Sequence, residues 1–185
     1  EIIRVNWYLE ETGTKHSDGS LAKVTNIIFM GMGEPLNNLE QVHRVCCTLH
    51  HQKLFNLGRK RMTISTSGVV PKIKELVDRN TPCCLAVSLN STNDERRSAV
   101  MPVNKVWNIA KLLEATDEYT KRTGNYVTFE FVLMKGITCS EEAAKELIRI
   151  CAPRRCKVNA IVLNDGDDPT LEAPSLEEID HFLEI

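Results

Sequence analysis

The side chains able to do chemistry in this sequence gather directly after short apolar runs. The first run, residues 24–30, leads into Gly31-Met32-Gly33-Glu34-Pro35. Two glycines permit a tight turn and close approach of the backbone to a ligand. Glu34 supplies a carboxylate suited to a cationic group such as an ammonium. A dinucleotide fingerprint is excluded, because its third glycine would fall at Leu36, and no Walker motif follows. From these residues alone, a ligand-facing turn and an ordinary strand-to-loop turn both remain open.

The later runs end in the same manner. Residues 62–65 pass into Ser65-Thr66-Ser67-Gly68-Val69-Val70-Pro71, whose hydroxyls can bond a carboxylate or phosphate or simply shape the turn. The pattern is not a Gly-x-Ser-x-Gly nucleophile elbow, and no histidine is placed to activate Ser65. Residues 85–89 pass into Ser88-Leu89-Asn90-Ser91-Thr92-Asn93, another polar strand end. Residues 127–133 carry Glu130 between Phe129 and Phe131, and strand alternation turns its carboxylate away from both rings. The last run, residues 158–163, ends in Asn164-Asp165-Gly166-Asp167-Asp168-Pro169. Asn164 offers donor and acceptor together, as an adenine or amino-acid ligand requires. The acidic stretch after it lacks EF-hand spacing and reads as a solvated turn.

Positioning these groups requires a scaffold, and the intervening segments supply one. Leu39, Val42, Cys46 and Leu49 form a helical stripe. Asn108 can cap a helix with Ile109, Leu112, Leu113, Thr116 and Tyr119 inward, and Ser140 can cap another over 141–151. Asn93 precedes acids suited to a first helical turn, Pro71 can open a short helix, and Ser175-Leu176-Glu177-Glu178 is a capping box. Residues 1–10 also read as helix. Helices and strands thus alternate, which argues a parallel sheet with right-handed crossovers and strands buried on both faces. Five strands fit an open doubly wound sheet or an incomplete barrel, and in either case ligands bind at the carboxyl ends of the strands.

Composition narrows the function classes. The chain has 185 residues, 42% hydrophobic and 26% charged, which suits one core domain over 1–185. The net charge is -2, so nucleic-acid contact would need local patches. Arg59-Lys60-Arg61, Arg96-Arg97 and Arg154-Arg155-Lys157 are the candidates for an RNA-facing rim. No apolar run reaches the ~20 residues of a membrane helix. The seven cysteines include no Cys-x-x-Cys spacing and read as reduced thiols of a cytoplasm-like compartment, with an organelle as the alternative. The five histidines show no metal-ligand spacing. The missing initiator Met and signal peptide suggest a piece of a longer protein.

The strand ends, taken in order, resemble the RlmN/Cfr family of radical S-adenosylmethionine RNA methyltransferases, the RlmN type in particular. The matching stretches are Gly31 to Asn38, Thr63 to Pro71, Leu85 to Asn90, Asp94-Glu95-Arg96, Met101 to Lys105 and Cys156-Lys157-Val158-Asn159. The resemblance implies a partial (βα)6 barrel of the radical SAM type, with five parallel strands in this chain. It implies S-adenosylmethionine as ligand, with Gly33 and Glu34 at its methionine end and Glu34 facing the amino group. Ser65 and Ser88-Leu89-Asn90 would contact the ribose and methionine portions, and Asn164 would reach the ligand from the last strand.

The implied reaction is methyl transfer to carbon 2 of an adenosine in large-subunit ribosomal RNA, with transfer RNA as a second candidate substrate. It needs a 4Fe-4S cluster on a Cys-x-x-x-Cys-x-x-Cys loop, an electron donor for that cluster, and a methyl-carrying cysteine. None of the seven cysteines matches either role. The resemblance therefore places the cluster ligands before Glu1 and the other cysteine after Ile185, in a chain truncated at both ends. The full-length protein would be a monomer, with no membrane partner. After Asn164 the sequence departs from the Pro-aromatic pair usual in bacterial members. That keeps open an inactive relative that binds S-adenosylmethionine or RNA as a scaffold.

Overall fold

The computed structural model describes residues 1–164, 166 and 171–185. The acidic stretch read as a turn lies outside the described residues except for Gly166. The chain runs α1 (Ile2–Glu11), β1 (Ile27–Phe29), α2 (Leu39–His50), β2 (Met62–Thr66), α3 (Val70–Asp78), β3 (Cys84–Ser88), α4 (Asp94–Val100), α5 (Ile109–Thr123), β4 (Val127–Leu133), α6 (Glu141–Cys151), β5 (Cys156–Val162) and α7 (Leu176–Glu184). All four strand pairings are parallel, and spatial order equals chain order, β1-β2-β3-β4-β5. A doubly wound sheet would reverse that order at a switch point, whereas a winding barrel does not. The architecture is a partial barrel.

The helices start where the sequence places caps. The Asn93 side chain accepts from the amides of Glu95 and Arg96, Asn108 from Lys111, and Ser140 from Ala143. Ser175 and Glu178 form a reciprocal capping box. Each cap contributes about 1 kcal/mol. The α2 stripe of Leu39, Val42, Cys46 and Leu49 is buried as the spacing requires, and so are Ile109, Leu112, Leu113, Thr116 and Tyr119 on α5. They pack on one face of the sheet against Ile64, Leu85, Val87, Val127, Phe129 and Phe131. Phe182 of α7 stacks on Phe131 with centroids 6.2 Å apart, fastening the last helix to β4.

The sheet departs from the sequence expectation on its other face. Only the central strands are buried on both sides, with Ala86 2% and Glu130 8% exposed, while the edge strands β1 and β5 are not. The helices cover one face only, and the concave face carries Ser65, Ser88, Thr128 and Glu130, with Lys157 and Asn159 on β5. Ile28 is 64% exposed and Met30 44% exposed at the β1 edge, and nearly every residue of β5 stays exposed. The strand runs contain enough small and polar residues at alternate positions for one open face, but a five-residue run does not reveal that periodicity.

Candidate functional site

The polar strand ends meet in one cleft. Phe29, Met30, Gly31, Gly33, Glu34, Pro35, Ser65, Thr66, Ser67 and Ser88 line it, around a volume of about 160 Å³. An enclosed small-molecule pocket spans roughly 300–1,000 Å³. A nucleoside-sized ligand would therefore lie across the open strand ends and be only partly enclosed. Gly31 and Gly33 have φ of 106° and 97°, a left-handed backbone that favours glycine. No atom lies within 4 Å of a Cβ built at either position, so conformation rather than crowding demands glycine there.

Glu34 holds the centre of the cleft. Its Oε1 accepts from the Leu36 amide at 3.0 Å, capping the short 3-10 helix Pro35–Asn38. Its Oε2 accepts from the Ser67 amide and hydroxyl, both at 2.8 Å, and from the Thr66 hydroxyl at 3.1 Å. A carboxylate has about four acceptor positions. Three donors crowd Oε2 and one meets Oε1, so the remaining capacity is at Oε1. The carboxylate both joins the β1 and β2 ends and keeps room for a ligand donor.

Behind these loops sits a buried guanidinium that the sequence reading missed. Arg97 is 0% exposed. Its Nε donates to the Leu89 carbonyl at 2.9 Å, and its Nη2 donates to the carbonyls of Ser67 and Ser88 at 2.8 and 2.9 Å. Its Nη1 donates to Asn104 Oδ1 at 3.0 Å. Asn104 Nδ2 donates in turn to the Asp94 carbonyl, Asp94 Oδ1 and Ser98 Oγ, at 3.0, 3.0 and 2.8 Å. Burial pulls the Arg97 pKa down to about 10, with the nearby Asp94 opposing the shift. Gly68 makes room for this arrangement. At φ 108° its Cβ would fall 3.1 Å from a Leu112 methyl and 3.3 Å from Arg97 Nη2.

A second carboxylate, Glu130, lies deeper on the concave face. It is 8% exposed and pairs in register with Ser88 on β3 and Asn159 on β5. Its Oε2 accepts from Ser65 Oγ at 3.2 Å and Ser88 Oγ at 3.5 Å. Phe129 and Phe131 point into the opposite, helix-covered core, as alternation requires.

The structure thus brings Gly33, Glu34, Ser65 and Ser88 together. Leu89 is different. Its side chain is fully buried in the core, its amide donates to the Glu130 carbonyl, and its carbonyl accepts from Arg97. Asn90 adopts φ 53°, and its side chain spans Met101 Sδ and the Val132 amide at 3.4 Å each, beside the cleft. Asn164 is exposed beyond the end of β5 and is not part of the cleft lining. The basic clusters do not form one rim. Arg59–Arg61 and Arg155 precede β2 and β5, at the strand ends opposite the cleft, and Arg97 is buried while Arg96 is exposed. Among the described residues no group of three or more His, Cys, Asp or Glu is arranged to hold a metal ion. No helix among them is long and apolar enough to cross a membrane.

Comparison with known proteins follows the same strand ends. The profile of the Radical SAM superfamily matches residues 19–148. The chain belongs to the radical SAM superfamily. This radical SAM chain is 44% identical, over 86% of its length, to the dual-specificity RNA methyltransferase RlmN of Bdellovibrio bacteriovorus, covering 40% of that protein. It is 38% identical, over its full length, to RlmN of a Marinomonas species, covering 50% of that protein. The crystal structure of a radical SAM methyltransferase from Sphaerobacter thermophilus superposes with a TM-score of 0.87 at 37% identity, over 99% of this chain and 51% of that one. The resemblance to RlmN seen in the strand-end motifs holds in these relatives. The chain spans about half the length of the curated relatives it matches.

Proposed function

We propose that residues 1–185 are the S-adenosylmethionine-binding core domain of a radical SAM enzyme that methylates carbon 2 of adenosine in RNA. Large-subunit ribosomal RNA is the proposed substrate and transfer RNA a second one. The observation that carries this reading is the cleft itself: a carboxylate fixed by four donors of its own chain, at parallel strand ends, in a sequence similar to RlmN along its length.

The residues present suit the methionine end of the ligand. The Oε1 of Glu34 retains an acceptor position for an ammonium hydrogen, and the bare glycine backbone at Gly31 and Gly33 leaves space beside it. Ser65 and Ser88 add hydroxyls that donate or accept. Arg97 locks the carbonyls of Ser67 and Ser88, so the donors aimed at Glu34 are in place before a ligand arrives. When bound, S-adenosylmethionine with an iron-sulfur cluster supplies the radical and the methyl carbon. The cluster ligands, the methyl-carrying cysteine and the docking surface for the electron donor belong, on this reading, to parts of a monomeric protein outside the chain.

The test uses the full-length protein with a reductant, S-adenosylmethionine and ribosomal or transfer RNA. Mass spectrometry of digested nucleosides should find 2-methyladenosine. Glu34→Gln should weaken S-adenosylmethionine binding by about 1–3 kcal/mol in calorimetry, because a charge-assisted contact is lost. Unchanged affinity would remove Glu34 from the site. Intact binding without product would favour the scaffold reading, which the sequence after Asn164 also permits.

A further inference from the structure

A second cavity, larger than the cleft, lies at the other end of the sheet. Its volume is about 400 Å³, within the roughly 300–1,000 Å³ of a small-molecule site. Lys23, just before β1, and Arg61, just before β2, line it. Arg61 and the cleft residue Ser67 stand at opposite ends of β2, about 20 Å apart at 3.3 Å per residue. The cavity is therefore separate from the cleft.

Its walls are in place before a ligand arrives. Phe55, Asn56 and Leu57 line it from the loop after α2. That loop is fastened to the end of α2: the Leu57 amide donates to the Leu49 carbonyl at 2.8 Å, and His50 Nδ1 donates to the Leu57 carbonyl at 2.8 Å. Phe55 and Leu57 are half-buried and packed against the core. Asn6 lines the cavity from α1, and its Oδ1 accepts from the Val24 amide at 2.6 Å. This bond joins α1 to the segment before β1 and orients the Asn6 amide group.

The charge of the lining is one-sided. Its charged side chains, Lys23 and Arg61, are both cations, and neither joins an ion pair among the described residues. Arg61 spends Nη1 on Asn26 Oδ1 at 2.8 Å, which leaves Nε and Nη2 for a ligand. Glu1, beside the lining residue Ile2, turns to Arg4 at 3.9 Å. A guanidinium fork with an ammonium suits phosphate oxygens. An aromatic ring in an apolar wall suits the flat face of a base, and carboxamides match the donors and acceptors of base edges.

We propose that this cavity binds a nucleotide, with its phosphate at Lys23 and Arg61 and its base against Phe55 and Leu57. Asn6 and Asn56 supply amide groups to the base or sugar. The nucleotide is free or belongs to an RNA chain. The chemistry is the same for both, and only the second source rests on the RNA reading above.

The test is calorimetry on the full-length protein, with adenosine 5′-monophosphate and a single-stranded adenylate tetranucleotide as probes. The Lys23→Gln/Arg61→Gln double variant should bind both about tenfold or more weakly, because two charge-assisted contacts are lost. Glutamine at position 61 keeps an amide that can bond Asn26. Phe55→Leu keeps apolar volume but not the flat face, and should lose affinity by about fivefold. S-adenosylmethionine affinity should not change in either variant. A tetranucleotide bound far more tightly than the monophosphate assigns the site to RNA, and equal affinities assign it to a free nucleotide. Variants that bind both probes within about twofold of wild type would overturn the proposal, as would a wild type that binds neither. Inorganic phosphate binding as tightly as the monophosphate would also overturn it, reducing the cavity to a simple anion site. A parallel loss of S-adenosylmethionine affinity would show that the substitutions act through the fold, and would overturn the local assignment. A wild type that binds the nucleotide but no S-adenosylmethionine would overturn the reading of the cleft and support this one. If the double variant does not melt cooperatively, Lys23→Gln alone carries the comparison.

Discussion

Replacing Arg97 by methionine should destabilise the domain severely. Methionine matches the length and roughly the volume of the arginine stem, so packing is largely kept and the change isolates the guanidinium. Four hydrogen bonds at 2.8–3.0 Å disappear, leaving the carbonyls of Ser67, Ser88 and Leu89 and the Asn104 amide oxygen without this donor. Hydrogen bonds involving a charged group contribute about 1.5–3 kcal/mol each, but removing a buried charge also relieves its desolvation cost. The second effect offsets part of the first. It does not cancel it, because the Leu89 carbonyl and the Asn104 amide oxygen belong to buried residues, even though the half-buried Ser67 and Ser88 line the cleft. The expected net loss is about 3–5 kcal/mol, against a total stability of about 5–15 kcal/mol for a domain. Urea unfolding followed by far-ultraviolet circular dichroism, with Trp107 fluorescence as a second probe, measures it. Arg97→Lys should recover only part of the loss, since one ammonium cannot span acceptors that Arg reaches with three nitrogens. A loss below about 1 kcal/mol for Arg97→Met would refute the argument, because it would mean that the strand ends hold themselves in place.

Gly68→Ala should cost more than Gly31→Ala. Both positions have φ near 106–108°, but only the first would press a methyl against Leu112 and Arg97. Strain alone costs about 1–3 kcal/mol, and a denaturation midpoint shift equal for both variants would exclude the steric contribution at Gly68. At about pH 8 a thiol reagent should label the exposed Cys47 rapidly, and Cys46 and Cys83 only on unfolding, since burial pushes both buried thiols up, Cys46 to about 12. Stability should also fall as pH rises from 9.0 toward about 12. In that window the unfolded chain releases the Cys46 proton while the folded chain keeps it, so the folded state binds more protons. Urea midpoints across this range should decline less steeply in Cys46→Ala, and an unchanged slope would remove Cys46 as a source.

The elements that the sequence reveals best are those fixed by local rules. Asn93, Asn108, Ser140 and Ser175 act as caps because a short acceptor side chain before a helix has few other uses, and the α2 and α5 stripes follow from a period that twelve or fifteen residues display fully. What stayed hidden depends on the third dimension. Arg97 sits beside Arg96 and reads as half of a surface pair, yet adjacent helix positions point about 100° apart, and only one of them faces the core. The available signal was Asn104 seven residues later, the amide that receives Nη1, but nothing local singles it out. Glu130 announced its direction through the flanking phenylalanines. Its importance depends on Ser65 and Ser88, which come from strands 65 and 42 residues away in the chain.

Charge offers the last link between fold and ligand. Two carboxylates, Glu34 and Glu130, border the concave side of the strand ends, and one guanidinium, Arg97, lies behind them on the helix side. Arg97 spends its donors on carbonyl and amide oxygens and forms no ion pair with either carboxylate. The charge acting on it is that of Asp94 instead. With Asp94 offsetting Arg97, the two cleft carboxylates leave an excess of negative charge. S-adenosylmethionine carries a sulfonium, an ammonium and one carboxylate, and sums to one excess positive charge. A site built this way favours the cationic ligand over its demethylated, sulfonium-free product, because loss of the sulfonium charge removes the attraction while leaving the shape of the nucleoside unchanged. The preference should shrink as ionic strength rises, since the cleft is open to solvent and screening acts over about 8–10 Å at ordinary salt. A ratio of the two affinities that does not change with salt would mean that contact geometry, and not charge, distinguishes the ligands.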